Sequence, residues 1–341
     1  MWKIGVVFAV AALCNAAEYP DPAEGDFVIS DFHFHSGESL PELRIHYTTV
    51  GNPSNPAVLI MHGTGGTGRG FLSAGFAGEL FGPNQPLDTK KYFIILPDGI
   101  GHGKSSKPSD GLRAHFPHYC YHDMVTADYR LLTDHLGIKH TRLIMGTSMG
   151  AMHSWVFGEM YPDFMDALMP LASAPVEIAG RNRMLRRMVI DSIRDDPEWN
   201  NGDYKKPPQG LLGAQYGLTM MTSSPLQMLK QSPTRAEADA AFDKLKDAAT
   251  RKDANDMLYQ FESSSDYNPQ PELEKITARL IAINSADDQV NPPELGIMER
   301  EIKRVKHGRY VLIPISDQTR GHGTHSVAKL WKQYVVELLG S

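Results

Sequence analysis

Short, largely apolar runs recur along this chain, and each meets a cluster of turn-forming residues. Ala57–Met61 runs into His62-Gly63-Thr64-Gly65-Gly66, Tyr92–Leu96 into Pro97-Asp98-Gly99, and Arg142–Met145 into Gly146-Thr147-Ser148. Further on, Ala278–Asn284 runs into Ser285–Pro292, and Arg309–Pro314 leads to Gly321-His322-Gly323. Runs of this kind predict strands buried on both faces, the pattern of a parallel sheet. Phe27–Phe32 and Leu43–Thr48 predict an opening antiparallel pair. His33 and His35 alternate with Phe32 and Phe34, which turns both histidines to solvent and away from metal binding.

Helices are predicted between the strands. Asp123–Leu136 reads as a helix capped by Asp123 and ended by Gly137, and Ala151–Tyr161 as another. Val327, Leu330, Trp331, Tyr334, Val335 and Leu338 form an apolar stripe at a spacing of about 3.6 residues, a closing amphipathic helix. Between Pro175 and Pro271 no strand pattern appears. Charged helical stretches such as Arg235–Asp253 replace it, with methionines at 184, 188, 220, 221, 228 and 257. This predicts a helical cap over 176–271, inserted after the sixth core strand. The core is then 18–175 together with 272–341. The methionines read first as core filling of the cap, and second as a pliable apolar wall above a site.

The N-terminus departs from this pattern. One positive charge in Met1-Trp2-Lys3 is followed by the apolar stretch Ile4–Cys14 and by small residues at Asn15-Ala16-Ala17. This predicts a secretory signal peptide over 1–17, too short to span a bilayer, and a secreted or periplasmic mature protein. Cys14 invites lipidation, but the bulky Leu13 before it argues against that. After cleavage Cys120 would be the one cysteine left, so no internal disulfide is expected. The 341-residue chain is 41% hydrophobic and 22% charged, with a formal net charge of −6. That composition suits a globular protein and gives no electrostatic footprint for nucleic acid.

The chemistry centres on Gly146-Thr147-Ser148-Met149-Gly150. A strand, Gly-x-Ser-x-Gly and a helix together describe a nucleophile elbow. The glycines are expected to let the backbone turn sharply and hold Ser148 strained and exposed. A serine needs a base and an orienting acid. His322 follows one strand and the Asp287-Asp288 pair follows the strand before it, which brings both to the carboxyl edge of a parallel sheet. The oxyanion donors are expected to be the N–H groups of Met149 and, in the glycine-rich turn, Thr64. Neither phosphate-binding signature is present, so no cofactor is expected and no metal. His62 reads as a structural residue of its turn.

These segments resemble homoserine O-acetyltransferases, a branch of the α/β-hydrolase fold. The resemblance covers most of 40–335. It is carried by Asp123-Met124-Val125, Asp134–Ile138, Gly146–Met152, Asp196–Tyr204, Pro208–Leu211 and Ser285–Pro293. It implies an α/β-hydrolase fold: a mostly parallel sheet with helices on both faces and an inserted helical cap. It also implies Asp288 rather than Asp287 as the acid, and His322 as the base. Three departures bear on function. Where the family's pattern has an arginine for the homoserine carboxylate, a tyrosine, and an aspartate near the amine, this chain has Gln215, Thr222 and Gly323. Arg186 and Arg187 are the cap cations that could stand in. The expectation is a secreted serine hydrolase acting on a small or medium carboxylic ester. The alternatives are acyl transfer of the homoserine O-acetyltransferase type and a non-catalytic binding protein on the same scaffold. Oligomeric state is not readable.

Overall fold

The computed structural model describes residues 19–340; the predicted signal peptide and Cys14 lie outside the described residues. Eight strands form one sheet in the order β1-β2-β4-β3-β5-β6-β7-β8. They are β1 (Ala23–His33), β2 (Ser39–Val50), β3 (Ala57–Met61), β4 (Phe93–Pro97), β5 (Thr141–Thr147), β6 (Ala167–Leu171), β7 (Arg279–Ser285) and β8 (Gly308–Ile313). β1 and β2, and β2 and β4, pair antiparallel; the remaining pairs are parallel.

The apolar runs are strands because both of their faces are covered. Along β3, Val58 and Ile60 join one buried cluster while Leu59 and Met61 join another on the opposite face. Each such side chain, fully buried, contributes roughly 1.5–3 kcal/mol of transfer free energy. A polar residue in any of these strands would forfeit that on one face. β1 differs: its exposed and covered positions largely alternate, as expected for an edge strand with one face in water.

The helices are α1 (Ala77–Leu80), α2 (Tyr121–Arg130), α3 (Met149–Met160), α4 (Gly180–Arg194), α5 (Gly210–Thr222), α6 (Pro225–Gln231), α7 (Arg235–Ala249), α8 (Ala254–Glu262), α9 (Ile297–Glu301) and α10 (Lys332–Leu339). α4 to α8 all lie between β6 and β7, with no strand among them. They hold an apolar cluster of their own that includes Val189, Ile193, Trp199, Leu211 and Phe261. No helix of the described residues is long and apolar enough to cross a membrane.

Three sequence expectations change. α2 begins at Tyr121, with Cys120 as its N-cap; Asp123 is the third residue and bonds back to the Cys120 N–H at 2.9 Å. The closing helix begins only at Lys332, because the short turns before it are tied elsewhere. Ala328 N–H donates to Gly75 O at 3.1 Å, and Trp331 Nε1–H donates to His325 O at 3.1 Å. The cap methionines are mostly not core filling. Met184, Met188, Met220 and Met228 are exposed, whereas Met257 is buried and lines the cavity above Ser148.

Candidate active site

Ser148 sits between β5 and α3 at φ 54° and ψ −111°, a conformation that side-chain-bearing residues rarely adopt. It is fixed on both sides: Ser148 N–H donates to Leu171 O at 2.8 Å, and Gly150 N–H to His62 O at 3.0 Å. The flanking glycines do not supply the turn by positive φ, as the sequence suggested; within the motif only Ser148 has it. They are needed for close approach. A Cβ on Gly146 would stand 2.2 Å from the Gly150 carbonyl, and one on Gly150 would stand 2.1 Å from Met61 O. Both obstacles are backbone, so neither can move aside.

His322 and Asp288 converge on this serine. His322 Nε2 lies 2.8 Å from Ser148 Oγ, and Nδ1 lies 2.9 Å from Asp288 Oδ2. Asp288 is fully buried. Burial alone would raise its pKa, but the His322 charge and hydrogen bonds from His322, Asn291 and Val290 hold it below the ordinary value. It is therefore a carboxylate, which requires the His322 proton on Nδ1 and leaves Nε2 free to accept from Ser148. Asp287 faces elsewhere. It accepts Ser285 Oγ–H at 2.6 Å and Gly321 N–H at 2.9 Å, which pins the loop that carries His322.

His325 was not foreseen from the sequence pattern. It is half-buried beside His322, with ring centroids 5.5 Å apart, and desolvation followed by the His322 charge pushes its pKa down to about 3. It stays neutral.

The glycine-rich turn after β3 passes close to Ser148: a Cβ on Gly63 would lie 3.2 Å from Ser148 Cβ. Its shape is held by His62. Gly99 N–H donates to His62 Nε2 at 3.0 Å, and His62 Nδ1–H donates to Gly63 O at 2.8 Å. Burial lowers the His62 pKa, consistent with this neutral tautomer. Among the described residues, neither Thr64 N–H nor Met149 N–H is engaged in a hydrogen bond. Both are therefore available to a developing oxyanion, and Thr64 lines the same cavity as Ser148 and His322.

That cavity has a volume of about 520 Å³ and is lined from the cap by α4, α5 and α8, through Arg186, Gln215, Thr222 and Gln260 among others, and by Lys252 in the connection before α8. Thus two of the three departures, Gln215 and Thr222, do face the candidate site. The structure also places two cations there that composition could not locate, Arg186 and Lys252.

Two groups elsewhere bring metal-ligand atoms within 4.8 Å of one another: His35, Cys120 and Asp123, and Cys120, His122 and Asp266. Their carboxylates already have work. Asp123 accepts the N–H of His35 and of Cys120, and Asp266 those of Tyr121 and His122. Together they tie down the first turn of α2.

A strained serine at a strand-to-helix turn, with an aspartate and a histidine brought to it after the last two strands of a mostly parallel sheet, defines an enzyme of the α/β-hydrolase fold. The α/β-hydrolase fold family profile matches residues 56–314. The chain belongs to that family, in the branch that resembles homoserine O-acetyltransferases. It is 31% identical to the homoserine O-acetyltransferase of Haemophilus influenzae strain Rd, over 75% of this chain and 81% of that protein. It is 27% identical to a probable acyltransferase of Methanothermobacter thermautotrophicus, over 92% and 97%. Among solved structures it is similar in fold to the acetyl esterase MekB, with a TM-score of 0.81, 22% identity, and 94% and 97% coverage.

Proposed function

We propose that this protein is an exported serine hydrolase that cleaves a small or medium carboxylic ester through an acyl-enzyme. The observation that carries the reading is the continuous hydrogen-bonded series Ser148–His322–Asp288 opening on a ligand-sized cavity. Ser148 Oγ attacks the ester carbonyl as its proton passes to His322 Nε2. Met149 and Thr64 N–H groups hold the oxyanion. Collapse of that intermediate breaks the C–O bond to the alcohol, which leaves with the His322 proton. Water then gives a proton to His322 and its oxygen to the acyl carbon, and Ser148 departs with that proton as the acid is released. Asp288 keeps the imidazole oriented and stabilises its charged form. No step calls for a cofactor.

A second reading is acyl transfer, favoured by the curated relatives, which are acyltransferases. Gly323, where the family's pattern has an aspartate, supports hydrolysis over transfer to homoserine. An ammonium with no acid after His322 would be desolvated without a partner, a loss of roughly 2–5 kcal/mol. Water needs no such partner. The deciding assay supplies acetyl-CoA with and without homoserine and follows O-acetylhomoserine by mass, beside hydrolysis of short nitrophenyl esters. We expect ester hydrolysis and little transfer product. O-acetylhomoserine formed faster than the thioester is hydrolysed would reverse the assignment.

Export rests on the Ile4–Cys14 stretch and the Ala16-Ala17 site. Protein isolated from its native host should begin near Ala17 or Glu18. An intact Met1 terminus in a cytosolic fraction would remove this part of the proposal.

A further inference from the structure

Arg186, on α4, has a charge that no carboxylate among the described residues answers. The residue is only 5% exposed. Its Nε donates to Asn182 Oδ1 at 3.2 Å and its Nη1 to Ser264 Oγ at 2.9 Å, and its Cζ stands 5.7 Å from the centroid of the Phe261 ring. All three partners are neutral, and among the described residues no carboxylate pairs with it. Two other arginines of the same helix are paired, Arg187 with Asp191 at 2.9 Å and Arg194 with Glu262, whereas Arg181 and Arg183, also without a carboxylate partner, are exposed. A buried cation without an anion is strongly disfavoured. The contradiction resolves if a ligand brings the anion, and Arg186 lines the cavity that contains Ser148.

The acids of that cavity do not fill the gap. Asp253 accepts the Tyr204 hydroxyl and the Asp256 N–H, and Asp256 accepts both the N–H and the hydroxyl of Ser109. A second cation, Lys252, reaches Gln215 Oε1 at 2.6 Å and adds positive potential at the rim. Asn182, which accepts from Arg186, also lines an adjoining cavity of about 420 Å³. That space is bounded by apolar side chains such as Met152, Ile178 and Met298, with Glu177, Glu294 and Glu299 also on its lining, and it shares Val290 as well as Asn182 with the first.

We propose that the substrate is an ester carrying a second, free carboxylate, which Arg186 binds while an apolar portion occupies the adjoining cavity. This rests on the assignment of Ser148 as nucleophile. Two pairs of probes test it. One is mono-4-nitrophenyl glutarate against its methyl ester, with the anion on the acyl side. The other is 4-acetoxybenzoate against its methyl ester, with the anion on the leaving side. In at least one pair kcat/KM should favour the free acid by roughly tenfold or more, as for a charge meeting a buried partner. Arg186→Gln should bring that preference close to one, and Arg186→Lys should retain part of it. Arg187→Gln, already paired at the surface, should leave both rate and preference unchanged.

Binding of free glutarate, measured by calorimetry, gives a readout independent of turnover. Wild type should bind it, and Arg186→Gln should not. If that variant fails to fold, competitive inhibition of neutral-ester hydrolysis by glutarate in wild type decides the matter. Turnover of neutral esters without glutarate binding or acid preference would overturn the proposal. Glutarate binding without turnover of any ester would instead support the anion site and overturn the assignment of Ser148.

Discussion

Ser148→Ala is expected to lower kcat on a short nitrophenyl ester by roughly 10⁴- to 10⁶-fold, because a hydrogen-bonded triad acts as a unit. The hydroxyl is the one group that can form the acyl bond; His322 has nothing to deprotonate without it. KM should change far less, since the walls of the cavity remain. The same variant should lose covalent labelling by an alkyl phosphonate, read by intact mass. The change should leave the fold in place: the strained backbone at 148 is held by bonds from its own N–H and from Gly150, neither of which uses the hydroxyl. Labelling of the variant at the wild-type rate would place the nucleophile elsewhere.

Asp288→Asn should come next in severity, at about 10³–10⁴ in kcat. The amide would favour the wrong imidazole tautomer, with the proton on Nε2, where Ser148 needs an acceptor. Asp287→Asn tests the neighbour. Its carboxylate holds Gly321 N–H and Ser285 Oγ–H, so its replacement should act through loop stability. About 1–3 kcal/mol of stability should be lost, with kcat within roughly tenfold of wild type. Kinetics and thermal unfolding measured together separate the two. If Asp287→Asn proved the more damaging to kcat in a folded protein, the acid would have been assigned to the wrong residue.

The central strands were legible because they are covered on both faces and stand out as apolar runs ending in turn-forming residues, although Ala167–Leu171, interrupted by Pro170, was not singled out. The positions of Ser148 and His322 followed from the same punctuation. Asp288 over Asp287 was not readable from local pattern, since either side chain could reach forward; resemblance chose between them, and the hydrogen bonds now give each a separate task. The cap was legible only as helix. Which faces of α4 and α5 look inward depends on how the helices cross, and that decided that Met184 and Met188 are exposed while Arg186 is buried. The apolar stripe from Val327 to Leu338 misled because its spacing fits one helix. Ties to Gly75 and to the loop after His322 break it into short turns first.

The candidate triad is assembled across large separations in sequence, 174 residues from Ser148 to His322 and 34 from Asp288 to His322. The serine turn can form once β5 has paired with β3 and β6, which supplies Leu171 O, but its partners arrive only with β7 and β8. The cap, with an apolar cluster of its own, intervenes between the two events. Contacts this distant are slow to close. Enzymatic activity should therefore be among the last signals to recover on refolding, after most of the helical signal has returned. On the ribosome the nascent chain would carry a shaped elbow while β7 and β8 are still to be made, and would remain chemically silent until they are.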